Sequence, residues 1–445
     1  MAILQIFMFM MAVTGAFTFA GIKYFQIYKN IKLGKDEKTE GDTKQRIKNV
    51  FLIAFGQKKM FKKLIPAFLH FSIYSAFLIT QIELIEIMID GATGNHRTLY
   101  HAFGTAGFMS GLYVFTISLI EFLSVFAFVA SIIFLWRRNL LKVPRLVRSE
   151  MNGWPKLDAN IILFVEIFLV TCIFMMNGAD EALHLKSGAG SYGFLISSQI
   201  APIFEGFSVS TLHIIERLGW WGHILGILAF VIYIPYSKHL HIFLAFPNVF
   251  YASLKPAGYM DNIEDVTKEI KLMMDPELAF AAPPAGEEAV IPTFGAKDVF
   301  DLSWKKLLSA YTCTECGRCT QECPASQTGK LLSPRKIMMD VRDRVEEVAL
   351  NIKTNGEFKD DGKSLISDEY ITVEELRACT TCNACVEACP ISIKPIDIIL
   401  ELRRNLILEQ SNAPEEWNGM FSNIENNGAP WQFSQQDRAN WITEE

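Results

Sequence analysis

The sequence contains one cysteine spacing twice, as Cys313-Thr-Glu-Cys316-Gly-Arg-Cys319-Thr-Gln-Glu-Cys323-Pro324 and as Cys379-Thr-Thr-Cys382-Asn-Ala-Cys385-Val-Glu-Ala-Cys389-Pro390. Three thiolates at this spacing wrap one corner of a cubane, and the fourth, followed by proline, ligates the other cluster in two-cluster ferredoxins. We therefore predict two [4Fe–4S] clusters, one on Cys313, Cys316, Cys319 and Cys389 and the other on Cys379, Cys382, Cys385 and Cys323. Zinc is the alternative, but tetrahedral zinc gains nothing from the cysteine before each proline.

The composition points to a membrane protein. The 445 residues are 50 % hydrophobic and only 20 % charged, which is too apolar for an ordinary soluble protein of two or three domains. Eight of the nine cysteines lie in the two runs, as in a cofactor site and unlike a disulfide framework. The runs therefore belong in a reducing compartment.

Charge divides the chain into two unlike halves. Residues 1–250, the N-terminal half, contain 22 Lys and Arg against 15 Asp and Glu, whereas residues 251–445, the C-terminal half, contain 20 against 33. The first half is basic and the second acidic, which argues against nucleic acid as a partner of the C-terminal half.

Five apolar stretches in the N-terminal half are long enough to cross a bilayer whose core is about 30 Å thick. We predict transmembrane helices at residues 3–25, 64–89, 101–136, 159–178 and 218–246. Ten basic residues lie in segment 32–63 and six in 137–156, so these loops belong in the cytoplasm. The chain is then a multi-pass protein of the cytoplasmic membrane, with its N-terminus outside and its C-terminal half in the cytoplasm.

Segment 191–212 is also mostly apolar and is the alternative sixth span. A sixth crossing would put both cysteine runs outside, where disulfide formation competes with cluster assembly. The segment also contains Pro202 and Glu205, so we interpret it as interfacial or re-entrant.

Histidines in or beside the predicted spans are candidate haem ligands, because an imidazole is costly to bury in lipid unless it has a function there. His223 and His241 are 18 residues apart, so both face the same way on one regular helix. His70 and His241 are expected at similar depths in the membrane, as are His101 and His223. We therefore predict a haem b bridging His70 and His241, with His239 as the alternative ligand, and a second haem b on His101 and His223. Interfacial histidines without haem are the other interpretation.

Acidic residues inside the spans are costly unless they face the interior of the bundle. Glu121 and Glu166 are candidates for carrying protons to or from a quinone, whereas Glu83 and Glu86 fit the outer end of their helix.

The organisation that follows is all-α: a five-helix transmembrane haem bundle fused to a cytoplasmic, α-helical, ferredoxin-like domain with two [4Fe–4S] clusters. We assign residues 1–250 to the haem domain, 251–300 to an extended linker, 301–410 to the dicluster domain and 411–445 to an aromatic tail that docks a partner.

The N-terminal half resembles the haem-b membrane subunit of respiratory nitrate reductase and its relatives. The resemblance covers residues 50–250 and rests on Trp220-Trp221-Gly-His223 and Pro235-Tyr-Ser-Lys-His-Leu-His241. It implies haem ligation by His70, His223 and His241. The family has a second haem ligand on the helix of His70, but the corresponding position 80 is Thr here. The resemblance therefore does not decide between one haem and two.

Residues 296–441 resemble the iron–sulfur region of heterodisulfide-reductase-like proteins and of membrane-bound electron-transfer-flavoprotein:menaquinone oxidoreductases. The matching stretches are Asp301-Leu-Ser-Trp304, Thr312-Cys-Thr-Glu-Cys-Gly-Arg-Cys319, Ser333-Pro-Arg335 and Asn423-Ile-Glu-Asn-Asn-Gly-Ala-Pro-Trp431. In those relatives the chain continues into cysteine-rich modules. We therefore expect a separate cysteine-rich, heterodisulfide-reductase-like subunit that docks through Trp431 and Trp441; a tail that caps its own dicluster domain is the alternative.

Together these features imply an oxidoreductase subunit that moves electrons between a cytoplasmic donor, such as electron-transfer flavoprotein, and a membrane quinone. A quinol-linked reductase of disulfides or sulfur compounds, of the heterodisulfide-reductase or sulfite-reduction type, is the alternative. A redox sensor is a third interpretation, but a sensor would not need haem and clusters together.

Overall fold

The computed structural model describes residues 2–103, 107–275 and 293–443. Over these ranges the chain is helical, and its only β-type pairings are two isolated bridges, Lys35 with Ser303 and Ile366 with Ile371. The predicted all-α class is therefore confirmed for the described residues.

The N-terminal half is built from long apolar helices joined by short ones. Five of the described helices are long and apolar enough to cross a membrane, which agrees with the predicted number. In chain order the α-helices are α1 Ala2–Ile31, α2 Thr43–Asn49, α3 Leu64–Thr93, α4 Thr98–Phe103, α5 Phe108–Asn139, α6 Trp154–Lys186, α7 Ser197–Phe204, α8 Val209–Tyr233 and α9 His241–Tyr251; the five candidate spans are α1, α3, α5, α6 and α8.

Two predicted helices have different bounds in the structure. His101 does not begin the third span but lies on the short helix α4, and α5 starts at Phe108. The fifth span ends at Tyr233 because Pro235 lacks the N–H that would continue it. Two 3₁₀ turns follow before α9 begins, so the prediction that His223 and His241 share one helix was wrong.

Segment 191–212 does not span. It contains the eight-residue helix α7, which packs through Ala201 against Ala179 and Ala182 of α6. This arrangement agrees with an interfacial or re-entrant segment.

The C-terminal half is a cluster of short helices around one long one. Its described α-helices are α10 Glu264–Met274, α11 Trp304–Thr312, α12 Arg318–Glu322, α13 Pro324–Gln327, α14 Pro334–Asn355, α15 Val373–Ala378, α16 Ala384–Ala388, α17 Pro395–Leu408 and α18 Glu415–Asn427. Helix α10 lies in the predicted linker, so residues 264–274 are helical and not extended. The proline-rich part of that linker, 276–292, lies outside the described residues.

One hydrophobic core crosses from the first half into the second. Ile27 of α1 and Leu240 before α9 belong to the same buried cluster as Leu307 of α11 and Val345 of α14. Backbone pairing also joins the halves, since Lys35 N–H donates to the Leu302 carbonyl at 2.8 Å. A Cβ on Gly34 would lie 2.7 Å from that carbonyl oxygen, so only glycine permits this approach.

Ion pairs between the two halves surround this shared core. Lys23 Nζ lies 2.8 Å from Glu346 and Lys63 Nζ lies 2.7 Å from Glu322. Arg335 of α14 is fully buried and pairs with Glu150, in the loop between α5 and α6, at 2.7 Å. The pairs of Lys23 and Lys63 follow the opposite net charges of the two halves, whereas the Arg335 pair has the reverse sense.

The aromatic tail is only partly packed. Trp417 of α18 lies against Arg377, whose guanidinium carbon is 6.0 Å from the centre of the Trp417 ring. Trp431 and Trp441 are 47 % and 74 % exposed.

The interface predicts unequal effects for two substitutions. Arg335→Met leaves the buried Glu150 carboxylate without its cation, and losing one partner of a buried pair costs about 3–5 kcal/mol. Lys62 and Glu387 also pair across the interface, but they are 52 % and 71 % exposed, so Lys62→Met should cost about 0–1 kcal/mol. Thermal unfolding of the detergent-solubilised protein should show a large drop in midpoint for the first variant alone. Equal midpoints would mean that Arg335 does not hold the halves together.

Candidate redox centres

The two cysteine runs fold into the same loop. In the first run, positive φ angles occur at Glu315 (54°) and Gly317 (69°), and in the second they occur at the equivalent Thr381 (55°) and Asn383 (62°). Asparagine is among the few residues besides glycine that tolerate this conformation. Each loop then enters a five-residue helix, α12 or α16, which ends at the cysteine before proline.

The two loops lie side by side, so that each run meets the last cysteine of the other. Burial raises the pKa of Cys313 to about 12, and the nearby thiols of Cys316 and Cys389 add to the rise. Burial likewise raises the pKa of Cys385 to about 12, with contributions from Cys379 and Cys323. Cys389 therefore lies with the first run and Cys323 with the second, as crossed ligation requires.

These thiol sets fit cubane clusters. No three Cys, His, Asp or Glu side chains converge around a single metal ion in the part of the chain that the structure describes. A cubane instead binds each thiolate at a separate iron, so its ligands lie farther apart. Thiolates that are buried close together are unfavourable, because their negative charges repel each other away from water. Bound iron compensates these charges when it replaces the thiol protons.

The two sets differ in exposure. In the second set Cys382 is exposed, although Cys323 and Cys385 are buried, whereas all four cysteines of the first set are half-buried. Only the second set therefore has an exposed cysteine.

His70 and His241 come together although they lie on different helices. Their ring centres are 6.4 Å apart, with planes inclined by 48°. A metal–nitrogen bond of about 2 Å on each side puts the ring centres of two axial imidazoles roughly 6 Å apart. The spacing of the two rings agrees with the predicted ligation of one iron, and the haem itself stays a prediction.

The Nδ1 atoms of these rings are already occupied. His70 Nδ1 lies 3.2 Å from the side-chain oxygen of Gln57, and His241 Nδ1 lies 3.1 Å from the Lys238 carbonyl. A metal-binding histidine typically donates its second N–H in this way, which leaves Nε2 for the metal. His239, the alternative ligand, lies 5.5 Å from His241 between ring centres and contacts Phe230.

The second histidine pair is not brought together. His223 Nδ1 lies 3.0 Å from the Leu169 carbonyl, so this ring also has a free Nε2. His101 contacts Tyr100 on α4, and among the described residues no ring contact joins it to His223. The second haem stays a prediction, and His223 is the better oriented of its two ligands.

The predicted proton carriers have different surroundings. Glu121 accepts hydrogen bonds from the Ile196 and Ser197 N–H groups, at 2.8 and 3.1 Å, and so anchors the start of α7. Glu166 has no hydrogen-bond donor within reach in the described residues, and its role as a proton carrier stays a prediction.

A buried charge network that the sequence analysis missed joins the histidine turn to the first cysteine run. Lys238, three residues before His241, forms an ion pair with Glu315, which lies between Cys313 and Cys316. Arg342 also pairs with Glu315, at 2.7 Å. Burial favours the neutral acid, but these two cations hold the pKa of Glu315 below its ordinary value. Two features of the sequence could have indicated this network: Lys238 lies next to histidines, and Glu315 lies inside a cysteine run.

Asp158 of α6 orders the same turn. It accepts hydrogen bonds from Tyr233 Oη at 2.5 Å, Ser237 Oγ at 2.6 Å and the Lys238 N–H at 3.0 Å. The break at Pro235 is therefore a defined turn that holds Lys238 against Glu315 of the C-terminal half.

A second polar network, also missed, lies at the opposite end of the bundle. Arg97 is buried, pairs with Asp180 at 2.6 Å and donates to Asn177 at 2.7 Å. Glu86 accepts from the Leu99 N–H at 3.0 Å. Glu86 thus lies at the end of its span, as expected, and orders the following loop.

Comparison with known proteins agrees with the cysteine chemistry. Residues 305–390 match the family described as a 4Fe-4S dicluster domain. The chain is 29 % identical to the probable iron-sulfur-binding oxidoreductase FadF of Bacillus subtilis, over 93 % of this chain and 57 % of that protein. It is 26 % identical to the EtfAB:quinone oxidoreductase of Syntrophomonas wolfei, over 90 % of this chain and 54 % of that protein.

A shorter match covers about a quarter of the chain. One subunit of the ferredoxin/F(420)H(2)-dependent CoB-CoM heterodisulfide reductase of Methanosarcina acetivorans is 33 % identical over 24 % of this chain and 53 % of that protein. No solved structure matches the chain. The chain spans a little over half the length of FadF and of the EtfAB:quinone oxidoreductase. Residues 305–390 are thus a 4Fe-4S dicluster domain, in a chain with five candidate membrane helices whose relatives are named oxidoreductases.

Proposed function

We propose that the protein carries electrons between a redox protein in the cytoplasm and a quinone in the cytoplasmic membrane, through two [4Fe–4S] clusters and haem b. The clusters and haem supply reversible one-electron chemistry. The chain supplies the ligands, the spacing between centres and a buried environment. In this proposal the five helices span the membrane with the N-terminus outside.

The observation that carries this proposal is the ion pair between Lys238 and Glu315. It joins the turn that holds His241 to the loop that holds Cys313 and Cys316. A haem on His70 and His241 would therefore lie next to the first cluster, at the end of the bundle that faces the dicluster domain. Because Cys382 is exposed, electrons enter or leave the protein through the second cluster on the cytoplasmic side.

The names of the relatives suggest the two ends of the path. The EtfAB:quinone oxidoreductase favours an electron-transfer flavoprotein as donor and a quinone as acceptor. Inside the membrane, Glu166 is the better candidate for proton exchange with the quinone, because its carboxyl is not held by the backbone as that of Glu121 is.

A second candidate function is a quinol-linked reductase of disulfides or other sulfur compounds. It is favoured by the likeness of about a quarter of the chain to a heterodisulfide reductase subunit. Either function agrees with a cysteine-rich partner at the exposed Trp431 and Trp441. Mass spectrometry of the co-purified proteins distinguishes a flavoprotein from a sulfur-handling partner.

The proposal predicts that a quinol reduces the bound haem. Menadiol added anaerobically to the purified protein should produce the absorption bands of reduced haem b, and Glu166→Gln should slow this step at least tenfold. Thr171→Val, on the same helix, is the control, because the Thr171 hydroxyl donates only to the Ile167 carbonyl of its own helix. A haem that menadiol cannot reduce would contradict the quinone link.

Crossed ligation predicts which cluster each cysteine serves. Cys323→Ala should alter the same EPR signal as Cys379→Ala, and Cys389→Ala the same signal as Cys313→Ala. Cys172→Ala is the control, because this buried thiol of α6 belongs to neither set. If Cys323→Ala instead alters the signal of the first run, the ligation is sequential.

The haem assignment predicts that His70→Ala and His241→Ala remove the same low-spin haem b spectrum, because each ring binds one side of one iron. His184→Ala is the control, because its Nδ1 is also held by a carbonyl, that of Gly190 at 2.9 Å, but no other histidine ring faces it among the described residues. Pyridine haemochrome assay gives the number of haems. An unchanged haem content in His101→Ala and His223→Ala would leave a single haem.

A further inference from the structure

We propose that Arg145, in the loop between α5 and α6, donates a hydrogen bond to the first cluster and raises its reduction potential above that of the second cluster. This inference rests on the proposed function, because it assumes that both clusters are present. It means that the N-terminal half tunes a cluster whose ligands all come from the C-terminal half.

The first observation is an unused donor. Arg145 Nη1 is buried and has no hydrogen-bond acceptor among the described residues. Buried guanidinium N–H groups are rarely left without an acceptor, so each such group requires an explanation. Burial lowers the pKa of Arg145, and Cys316 is the neighbour that most opposes this decrease. Cluster sulfur is the acceptor that the described residues lack.

The arginine is held in place by its own backbone. The Arg145 carbonyl accepts from Arg335 Nη1 at 2.6 Å, and Arg335 is in turn held by Glu150. Gly317, next to Cys316, leaves the space for this packing: a Cβ there would collide with Arg335 Nη1 and would lie 3.1 Å from the Arg145 carbonyl oxygen. Docking of the two halves therefore brings the side chain of Arg145 to the first cysteine run.

Other cations surround the same set of thiols. Lys59 donates to the Val386 carbonyl at 3.2 Å and lies near Cys389. Arg318, between Cys316 and Cys319, is 4 % exposed and donates to the Met60 carbonyl at 3.2 Å. The acid beside these thiols, Glu315, is already paired with two cations.

The second set of thiols has weaker electrostatic support. Arg403 is the cation near Cys379, but its N–H groups are used by backbone carbonyls, those of Leu376 at 2.7 Å and Arg377 at 3.2 Å. Cys382 is exposed, so water screens charges there.

Reduction adds one electron and hence one negative charge to a cluster. Nearby cations and N–H donors stabilise the reduced form, and they act more strongly where water is excluded. The first cluster should thus have the higher potential. An electron that a reduced cytoplasmic protein delivers to the second cluster then passes to the first, which is reduced as the second is reoxidised, with no bond made or broken.

The test is an EPR redox titration of the purified full-length protein and three variants. Arg145→Gln removes the charge and the donor geometry, Arg145→Lys keeps the charge, and Lys142→Gln removes a charge from an exposed position of the same loop. The cluster signals are assigned with Cys382→Ser, which alters the second cluster. We expect Arg145→Gln to lower the midpoint potential of the first cluster only, Arg145→Lys to lower it less, and Lys142→Gln to leave both potentials unchanged.

Equal potentials in the wild-type protein and Arg145→Gln, or equal shifts of both clusters, would overturn the inference while leaving the proposed function intact. If Arg145→Gln loses half of its iron, the iron content of Arg145→Lys distinguishes an electrostatic role of Arg145 from a structural one. Retention of both clusters in that variant supports an electrostatic role, whereas loss of iron there too reduces Arg145 to a structural residue. A wild-type protein with no [4Fe–4S] cluster would overturn the proposed function itself.

Discussion

The buried ion pair of Lys238 and Glu315 connects the two halves where their candidate redox centres come closest. Removing two charges from water is unfavourable unless each finds further partners. Here Glu315 is shared with Arg342, and Lys238 also donates to the Pro155 carbonyl at 2.6 Å. Asp158 fixes the turn from which Lys238 projects. The position of the histidine turn relative to the first cysteine loop depends on this network.

Charge complementarity around the shared core extends the same arrangement over a wide interface. Basic residues of the loop that precedes α3 face acidic residues of the C-terminal half, whereas Glu150, before α6, pairs with Arg335 of that half. The core that starts at Ile27 continues to Val345. The exposed ion pairs contribute little to stability, whereas the apolar core and the buried Arg335 pair contribute more. The proposed path for electrons therefore lies inside one packed unit.

The two cysteine loops are close copies, yet their surroundings differ. Both loops contact the N-terminal half, but Arg145 and Lys59 lie near Cys316 and Cys389 of the first set, and the second set includes the exposed Cys382. Two similar cofactors in unlike surroundings would have unlike potentials, which gives the proposed path a direction. The environment that distinguishes them is supplied largely by residues distant in sequence.

The sequence by itself determined the local chemistry and the count of elements. The cysteine spacing predicted crossed sets, and the dicluster match covers those residues; the lengths of the apolar stretches predicted five candidate spans. Both are local properties, because ligand spacing and hydropathy act over a few turns of chain. Only the tertiary structure decided that Pro235 separates His223 from His241, that His101 lies on its own short helix and that His70 faces His241. It also decided that Lys238 meets Glu315 and that Arg145 lies near Cys316. These residue pairs are 77 and 171 positions apart, and such contacts depend on packing of the whole chain, which no local pattern records.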